Sequence, residues 1–324
     1  MARPAPRRLP PRRIRAGTEM QLRIHHRTIY LYSRPVDLGP HRLMLRPRES
    51  PDMRLLSFAV STSPPSLFGW SQDVYGNSVA RALPMWTADS LMIDCEIRVD
   101  NLALANPTLN IAAEATSYPF RYTDTEWNDL GHLTQPLYAD PHGELRAWAQ
   151  AFVAAYPTGT LALLLDLNAG VADAVAYQSR HGDGTQTPLE TLRRGWGSCR
   201  DFAVLMAEAA RQLGFGARLV SGYLYLPDLD PGLDAGPADA TMPATGATHA
   251  WIEIYLPGAG WVAFDPTHRS YGGANLIPVA VARGIADLPP VEGSFTGTTG
   301  DYIGMHVGVT VSAPAAQHGM IRRT

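Results

Sequence analysis

The sequence has no lysine, only two cysteines and no hydrophobic run long enough to cross a membrane. Two cysteines exclude a disulfide framework and a cysteine-rich metal cluster. Because lysine is absent, all 27 basic residues are arginine, a bias that we attribute to genome composition. Residues 1–19 lack the apolar stretch of a secretory signal, and free thiols suit a reducing compartment. The sequence therefore predicts a cytoplasmic protein.

The length and charge of the chain limit its class and its partners. A chain of 324 residues can form two domains and bury a sizeable core. A hydrophobic content of 45% and a charged content of 18% are typical of globular proteins. The formal net charge of −3 gives no reason to expect nucleic acid or an anionic membrane as a partner. The composition sets no oligomeric state.

Two regions differ in the spacing of their hydrophobic residues. Residues 20–135 contain alternating apolar runs punctuated by proline and glycine, which predicts an N-terminal β-sandwich-like domain. Helical periodicity begins near residue 142, so residues 136–312 are predicted to form an α+β domain with helices packed on an antiparallel sheet. Residues 1–19 are predicted to be disordered or a non-native extension before a start at Met20. Residues 313–324 are predicted to be a tail.

Cys199 follows a glycine-rich turn at 195–198 and begins a predicted helix. Ser198 is the candidate N-cap, Asp201 the acidic half of a capping box, and Gly214 the C-terminal stop. An apolar stripe recurs at helical spacing at Phe202, Met206, Ala209 and Leu213. The helix dipole favours thiolate at this position, and thiolate is the nucleophilic form of cysteine. The alternative is a buried structural cysteine, the usual role of a free thiol.

A β-hairpin is predicted downstream of this helix. Residues 248–256 form its first strand, 257–260 its turn and 261–267 its second strand. His249 lies at the start of the first strand and Asp265 near the end of the second, so we expect them to be neighbours across the ladder. The carboxylate can then fix the imidazole tautomer while the other ring nitrogen faces a thiol. This is the arrangement of a nucleophile, a base and an orienting acid.

Other polar residues receive a structural interpretation. Cys95 is predicted to face the core from a half-buried strand, and Glu253 to be an exposed strand carboxylate on the same side as the hairpin histidine. The acidic loop 227–247 is predicted to be a flexible rim rather than a calcium site. Three histidines are assigned to polar strand faces rather than to a metal site: His25, His26 and His41.

Three motifs surround the thiol, the imidazole and the carboxylate: Cys-Arg-Asp-Phe-Ala at 199–203, Thr-His-Ala-Trp at 248–251 and Phe-Asp-Pro-Thr at 264–267. These motifs resemble those of the bacterial transglutaminase-like superfamily. Residues 22–48 and 73–77 are similar to the β-domain that precedes this core in the family, and residues 283–291 resemble its C-terminal segment. The resemblance therefore extends over roughly residues 20–312.

The resemblance implies a papain-like transglutaminase core over residues 136–312, with Cys199, His249 and Asp265 as the catalytic triad. It implies no cofactor and no metal. The expected activity is that of a thiol hydrolase, a cysteine peptidase or amidase that cleaves a peptide or protein substrate through a thioester. Trp196 and Ser198 are candidate substrate or oxyanion contacts, and packing in the core is the alternative for Trp196.

Two departures from the family pattern are visible. Residues 283–286 read Arg-Gly-Ile-Ala where relatives commonly have Gly-Arg-Asp-Tyr, and His268 stands where asparagine is common. Both are expected to lie outside the triad and to affect substrate preference rather than chemistry. Two other functions stay open: an amide-to-amine acyltransferase with the same triad, and a non-catalytic binding module that keeps the fold.

Overall fold

The computed structural model describes residues 20–179, 184–226 and 246–313. Three segments singled out in the sequence lie wholly or mostly outside these residues: the extension 1–19, the acidic loop 227–247 and the tail 313–324. The described part combines helices with antiparallel sheets, as in the predicted α+β fold class. No helix in that part is both long and apolar enough to span a membrane.

Strands make up most of the N-terminal half, and the α-helices follow them before a second series of strands. The strands are β1 (Met20–Leu43), β2 (Met53–Ser63), β3 (Ser66–Gln72), β4 (Ser78–Pro84), β5 (Ala88–Asn101), β6 (Ser117–Tyr118), β7 (Thr158–Gly159), β8 (Ala176–Tyr177), β9 (Trp196–Gly197), β10 (Ala217–Tyr225), β11 (Gly246–Leu256), β12 (Gly260–Asp265), β13 (Ser270–Tyr271), β14 (Leu276–Ala282), β15 (Val291–Thr296) and β16 (Tyr302–Ser312). The α-helices are α1 (Asp124–Leu130), α2 (Glu144–Gln150), α3 (Thr160–Ala174), α4 (Pro188–Arg194) and α5 (Cys199–Gln212).

The N-terminal part is a curled antiparallel sheet built on the long strand β1. The first half of β1 pairs with β5 and β16, and its second half pairs with β4 and β15. Leu22 and Ile24 are fully buried while Arg23 between them is exposed, as the alternation in the sequence predicts. Because one strand serves both halves, the sheet folds over itself and is sandwich-like.

The C-terminal strands return to this sheet. β15 and β16 both pair with β1, so residues 291–312 are hydrogen-bonded to the N-terminal sheet. Sequence position alone groups these residues with the second domain instead. Their composition does not distinguish the two sheets, because the partner of a strand is set by long-range register. The two parts of the chain are therefore interleaved.

The second part has α5 at its centre. Its sheet has the order β13-β12-β11-β10-β14, and α5 packs on β11 and β10. Helices α2, α3 and α4 contact α5 from its other sides. Residues 201–211 are all buried, so the predicted apolar stripe is one part of a helix that is enclosed nearly all round. This enclosure fixes the position of the first turn, where Cys199 lies.

Two helix features that the sequence predicts differ from the structure. The helical spacing of Leu145, Trp148, Phe152 and Tyr156 predicts one continuous stripe, but α2 ends at Gln150. The ring of Phe152 instead lies over α3, at a point where a Cβ atom on Gly170 would come within 2.2 Å of the ring. Residues 187–190, Thr-Pro-Leu-Glu, predict a helix start with a capping box. Thr187 does cap α4, but the Glu190 side chain forms an exposed ion pair with Arg194 instead of closing the box.

The prediction that the N-terminal histidines lie on polar faces is wrong for two of them. His26 and His41 are each 2% exposed. The Nδ1 atom of His26 lies 2.9 Å from the Tyr223 hydroxyl on β10, and its Nε2 lies 3.1 Å from the Thr28 hydroxyl. Burial lowers the pKa of His26 to about 4, so the ring is neutral at pH 7. His26 follows the same alternation as Ile24 and joins the N-terminal sheet to the core.

Candidate active site

Two glycines shape the turn before Cys199. Gly195 has φ +66° and ends α4 in the left-handed conformation that favours glycine. At Gly197 a Cβ atom would lie 2.8 Å from the Asp201 Cβ, so the backbone approaches the first turn of α5 closely. Ser198 then serves as the N-cap and Cys199 as the first residue of α5, as predicted.

Asp201 ties this turn together. Its Oδ2 accepts hydrogen bonds from the backbone N–H and the hydroxyl of Ser198, each at 2.8 Å. Its Oδ1 accepts the backbone N–H of Gln186 at 2.7 Å. The carboxylate is fully buried and acts as the capping acid that the sequence predicted. Both donors of Ser198 are directed at Asp201, so the hydroxyl proton is used within the turn.

We expect Gly197→Ala to lower the free energy of unfolding by about 1–3 kcal/mol, because the added methyl group would force the capping carboxylate from its position. Denaturant unfolding followed by circular dichroism measures this difference. Gly69→Ala on β3 is the matched control, since a Cβ there has no atom within 4 Å. A Gly197 variant that is as stable as the Gly69 variant would contradict the prediction.

His249 and Asp265 meet at the end of the hairpin. The register pairs Ile252 with Phe264, so Asp265 lies diagonally from His249 on the ladder rather than directly opposite. The His249 Nε2 is 2.9 Å from the Asp265 Oδ2, and both side chains are buried. Since Nε2 is engaged by the carboxylate, Nδ1 is the ring nitrogen that faces the thiol.

Cys199, the third residue of the predicted triad, lies beside His249 and Asp265. The Cys199 sulfur is hydrogen-bonded to the His249 side chain and to the backbone N–H of Ala250. The structure therefore brings Cys199, His249 and Asp265 into one hydrogen-bonded chain. It joins the first turn of α5 to the β11–β12 hairpin, which lies well downstream of that helix in the sequence.

The charged forms of Cys199, His249 and Asp265 stabilise one another. Burial alone would raise the pKa of Cys199, but the hydrogen bond and charge of His249 and the Ala250 N–H outweigh it and lower that pKa. Burial would likewise lower the pKa of His249, but the charge and hydrogen bond of Asp265, helped by Cys199, raise it. The pKa of Asp265 is held low, because the two histidines outweigh its burial. These directions favour a thiolate beside an imidazolium.

A second histidine contacts the carboxylate. His268 Nδ1 lies 2.8 Å from the Asp265 Oδ2, the oxygen that also binds His249, and the Thr267 N–H donates to Oδ1 at 3.0 Å. The expectation that His268 lies outside the triad and affects only substrate preference is therefore wrong about its position. A titratable residue three positions after Asp265, in the turn that follows the strand, was the signal in the sequence.

Three donor atoms of this cluster are close enough to hold a metal ion. The ring nitrogens of His249 and His268 and a carboxylate oxygen of Asp265 all lie within 4.8 Å of one another. Imidazole and carboxylate are ligands that zinc accepts. The same atoms form the two hydrogen bonds on Oδ2, so a metal ion would have to replace both.

Trp196 lies beside the turn. In the short parallel ladder of β8 and β9 it is paired with Ala176. Its ring is half-buried, and the Arg194 guanidinium lies 5.5 Å from its centre. The Arg194 guanidinium therefore covers one face of the indole. Trp196 precedes Cys199 by three residues in the sequence.

Tyr177 is a residue of the site that no sequence motif predicted. It is paired with Gly197 in the ladder, is 53% exposed, and meets Phe202 edge-on at a centroid distance of 6.3 Å. Burial raises the pKa of its phenol, and the negative charges of Cys199 and Asp265 raise it further, which indicates that the ring lies near both. Only the parallel pairing of β8 with β9 brings it to the site.

Glu253 does not border the site as an exposed carboxylate. It forms an ion pair with Arg218 across β10 and β11, with an N–O distance of 2.7 Å and both side chains largely buried. The Arg218 guanidinium also stacks over the Trp261 ring at 4.1 Å. The carboxylate is therefore part of the sheet's packing. Cys95, in contrast, is buried in β5 as predicted.

Comparison with known proteins shows which families and relatives match this chain. Residues 22–100 match the bacterial transglutaminase-like N-terminal region, and residues 146–266 match the transglutaminase-like superfamily. An uncharacterized protein of Mycobacterium leprae is 34% identical over 109 residues, which are 34% of this chain and 36% of that protein. A protein-glutamine gamma-glutamyltransferase of Pseudomonas aeruginosa is 28% identical over 148 residues, 45% of this chain and 20% of that protein. The matched region thus spans well under half of either curated relative.

A solved structure supports the fold along nearly the whole chain. The "Putative Cysteine Protease from Cytophaga hutchinsonii" superposes with a TM-score of 0.67 and 18% sequence identity, covering 93% of each chain. At this identity the similarity concerns the fold alone. It covers the N-terminal sheet as well as the core.

Proposed function

The chain belongs to the transglutaminase-like superfamily, and on that premise we propose that it is a thiol hydrolase that cleaves peptide or amide bonds. The observation that carries the proposal is the hydrogen-bonded chain of a partly exposed Cys199 with buried His249 and Asp265, in which the thiol pKa is lowered and the imidazole pKa is raised. A nucleophile needs both the reactive form and an adjacent proton donor, and this chain holds the two together. Residues 136–312 are the proposed catalytic domain.

The reaction follows from these positions. The Cys199 thiolate attacks the amide carbon, and the carbonyl oxygen becomes an oxyanion. The Cys199 backbone N–H, one of the helix N–H groups without a partner inside α5, is the proposed donor to it, with the Trp196 indole N–H as a second. His249 gives its proton to the leaving amine, which leaves a thioester on Cys199. His249 then takes a proton from water, water attacks the thioester, and the acid is released with the thiolate restored.

Tyr177 is half exposed beside the turn, which favours an extended peptide as the substrate. It is paired with Gly197 on β9, two residues before the nucleophile. We propose that Tyr177 forms a wall of the substrate site. The protein is proposed to act on a peptide or protein without a cofactor, and a cytoplasmic location stays a prediction.

Alkylation of Cys199 is the first test. We expect brief iodoacetamide treatment between pH 5 and 8 to modify Cys199 well below the usual thiol pKa of about 8.5, because a lowered pKa keeps the thiolate as the pH falls. Reactivity should decline only when the pH falls through the lowered thiol pKa, and the imidazolium persists above pH 7 because its pKa is raised. Intact mass with peptide mapping measures the site of modification.

The chain supplies its own control for this experiment. Burial raises the pKa of Cys95 to about 12, so Cys95 should remain unmodified throughout the range. Cys199→Ala should remove the modification completely. A Cys199 that stays inert below pH 7 in the folded protein would contradict the proposed thiolate–imidazolium pair and favour the non-catalytic binding module.

The second candidate is an amide-to-amine acyltransferase. It is favoured by the 28% sequence identity with the protein-glutamine gamma-glutamyltransferase. Hydrolysis and transamidation both pass through the thioester on Cys199. Incubation with a glutamine-containing peptide and a fluorescent primary amine distinguishes them, because hydrolysis yields acid plus ammonia and transamidation attaches the amine. Since this chain has no lysine, it cannot serve as its own lysine acceptor, and labelled peptide arises from the added amine alone.

A further inference from the structure

The Asp265 carboxylate makes other hydrogen bonds besides the one to His249. Oδ2 lies 2.9 Å from His249 Nε2 and 2.8 Å from His268 Nδ1, while Oδ1 accepts the Thr267 N–H at 3.0 Å. Rotation about the terminal torsion of an aspartate is soft, so one histidine alone does not fix which oxygen faces it. Two ring nitrogens on the same oxygen, with a backbone N–H on the other, leave a single orientation.

The backbone of the following turn is arranged to make this contact. Asp265 pairs with Ser270, so residues 266–269 form a tight connection between β12 and β13. Arg269 within it has φ +53°, a left-handed conformation that is uncommon for a residue other than glycine. This turn brings His268 back over the carboxylate, and its ring meets the His249 ring edge-on at a centroid distance of 5.3 Å. Strained conformations of this kind concentrate at functional sites.

We propose that His268 is a positioning residue, which holds Asp265 so that Oδ2 stays directed at His249 Nε2. This inference rests on the proposed function, because it assigns His268 a role through the triad. The contact needs only the Nδ1–H of the ring, which is present in both the charged form and the matching neutral tautomer. The side chain is 29% exposed, so its outer nitrogen is within reach of solvent.

Other charged groups around the pair define what a test must hold constant. Asp265 on β12 and Cys199 on α5 face His249, and the Tyr177 phenol on β8 lies near both of them. Arg269, next to His268, forms an exposed ion pair with Asp173 on α3. Substitutions at position 268 leave all of these groups in place.

The test compares His268→Asn with His268→Gln in the full chain. The Asn side-chain nitrogen stands nearly where Nδ1 does, whereas that of Gln stands nearer the position of Nε2 and is displaced from Oδ2. Iodoacetamide alkylation of Cys199 is measured from pH 5 to 8 in buffer with EDTA, which removes metal ions that the cluster could bind. We expect His268→Gln to alkylate about tenfold more slowly at pH 6, as for a lost hydrogen bond to a charged group, and its acid limb to move to higher pH. His268→Asn should stay within about threefold of wild type.

The outcomes distinguish a failure of the positioning role of His268 from a failure of the proposed function. If the Asn and Gln variants have the same pH profile as wild type, the positioning role is wrong, while the proposed function stands. If wild-type Cys199 already lacks reactivity at pH 6, the proposed function fails instead. Melting temperatures of both variants are measured alongside. If both variants slow alkylation and lose stability to the same extent, His268 acts through the fold and the inference is overturned.

Discussion

Replacing His249 with alanine is expected to slow amide turnover by at least about 10³-fold, the scale found when a triad base is removed. The substitution removes the group that donates a proton to the leaving amine. It also removes the hydrogen bond and charge that lower the pKa of Cys199 against the opposing effect of burial. The thiol pKa should then rise, and alkylation of Cys199 at pH 6 should fall about 10²-fold, in line with a return to an ordinary or raised thiol pKa.

The structure offers a matched histidine for this experiment. His25 on β1 is partly exposed, lies 2.9 Å from Asp94, and makes no contact with the triad. His25→Ala should therefore leave both turnover and alkylation unchanged. In His249→Ala the Asp265 carboxylate keeps the His268 and Thr267 donors, so the end of β12 should stay folded. Undiminished alkylation at pH 6 in His249→Ala would exclude the thiolate–imidazolium pair.

The parts of this site that the sequence predicts are those coded by neighbouring residues. The N-cap at Ser198 and the acidic capping residue three positions later fix where α5 begins, so the place of Cys199 follows from local signals. The hairpin that carries His249 and Asp265 is likewise a local unit, with a short turn between its strands. The order of the three residues along the chain then leaves few ways to bring them together.

The remainder depends on contacts between distant segments. The pairing of β15 and β16 with β1 joins residues about 270 positions apart, and no local pattern encodes it. Tyr177 reaches the site only because β8 pairs with β9 in parallel. The buried state of His26 was readable, since it shares the alternation of Leu22 and Ile24, but its Tyr223 partner on β10 was not. His268 was noticed as a departure from a pattern, and its contact with Asp265 required the geometry of the turn.

The buried ion pair of α5 likewise has no signature in the sequence that distinguishes it from an exposed helix pair. Glu208 and Arg211 are each 1% exposed at the side chain and bind one another within the helix. Glu208 Oε2 accepts the N–H groups of Leu137 and Tyr138 at 2.8 and 3.1 Å. Arg211 donates to the Ala217 carbonyl at the start of β10, and burial lowers the pKa of its guanidinium despite the adjacent carboxylate. The pair anchors the C-terminal half of the helix whose first residue is Cys199.

Glu208→Ala is expected to lower the free energy of unfolding by about 3–5 kcal/mol, because it leaves the Arg211 charge buried without its partner and two backbone N–H groups without an acceptor. Urea unfolding measures the loss. The exposed pair Glu190–Arg194 on α4 is the matched control, and Glu190→Ala should cost no more than about 0.5 kcal/mol, because solvent screens such pairs. Equal effects at the two positions would mean that the buried pair adds nothing beyond an ordinary helix contact. We expect a large loss of unfolding free energy in Glu208→Ala only, while the folded fraction keeps the low-pH alkylation of Cys199. That result would show that the contacts that hold α5 in place are distinct from those that activate the thiol in its first turn.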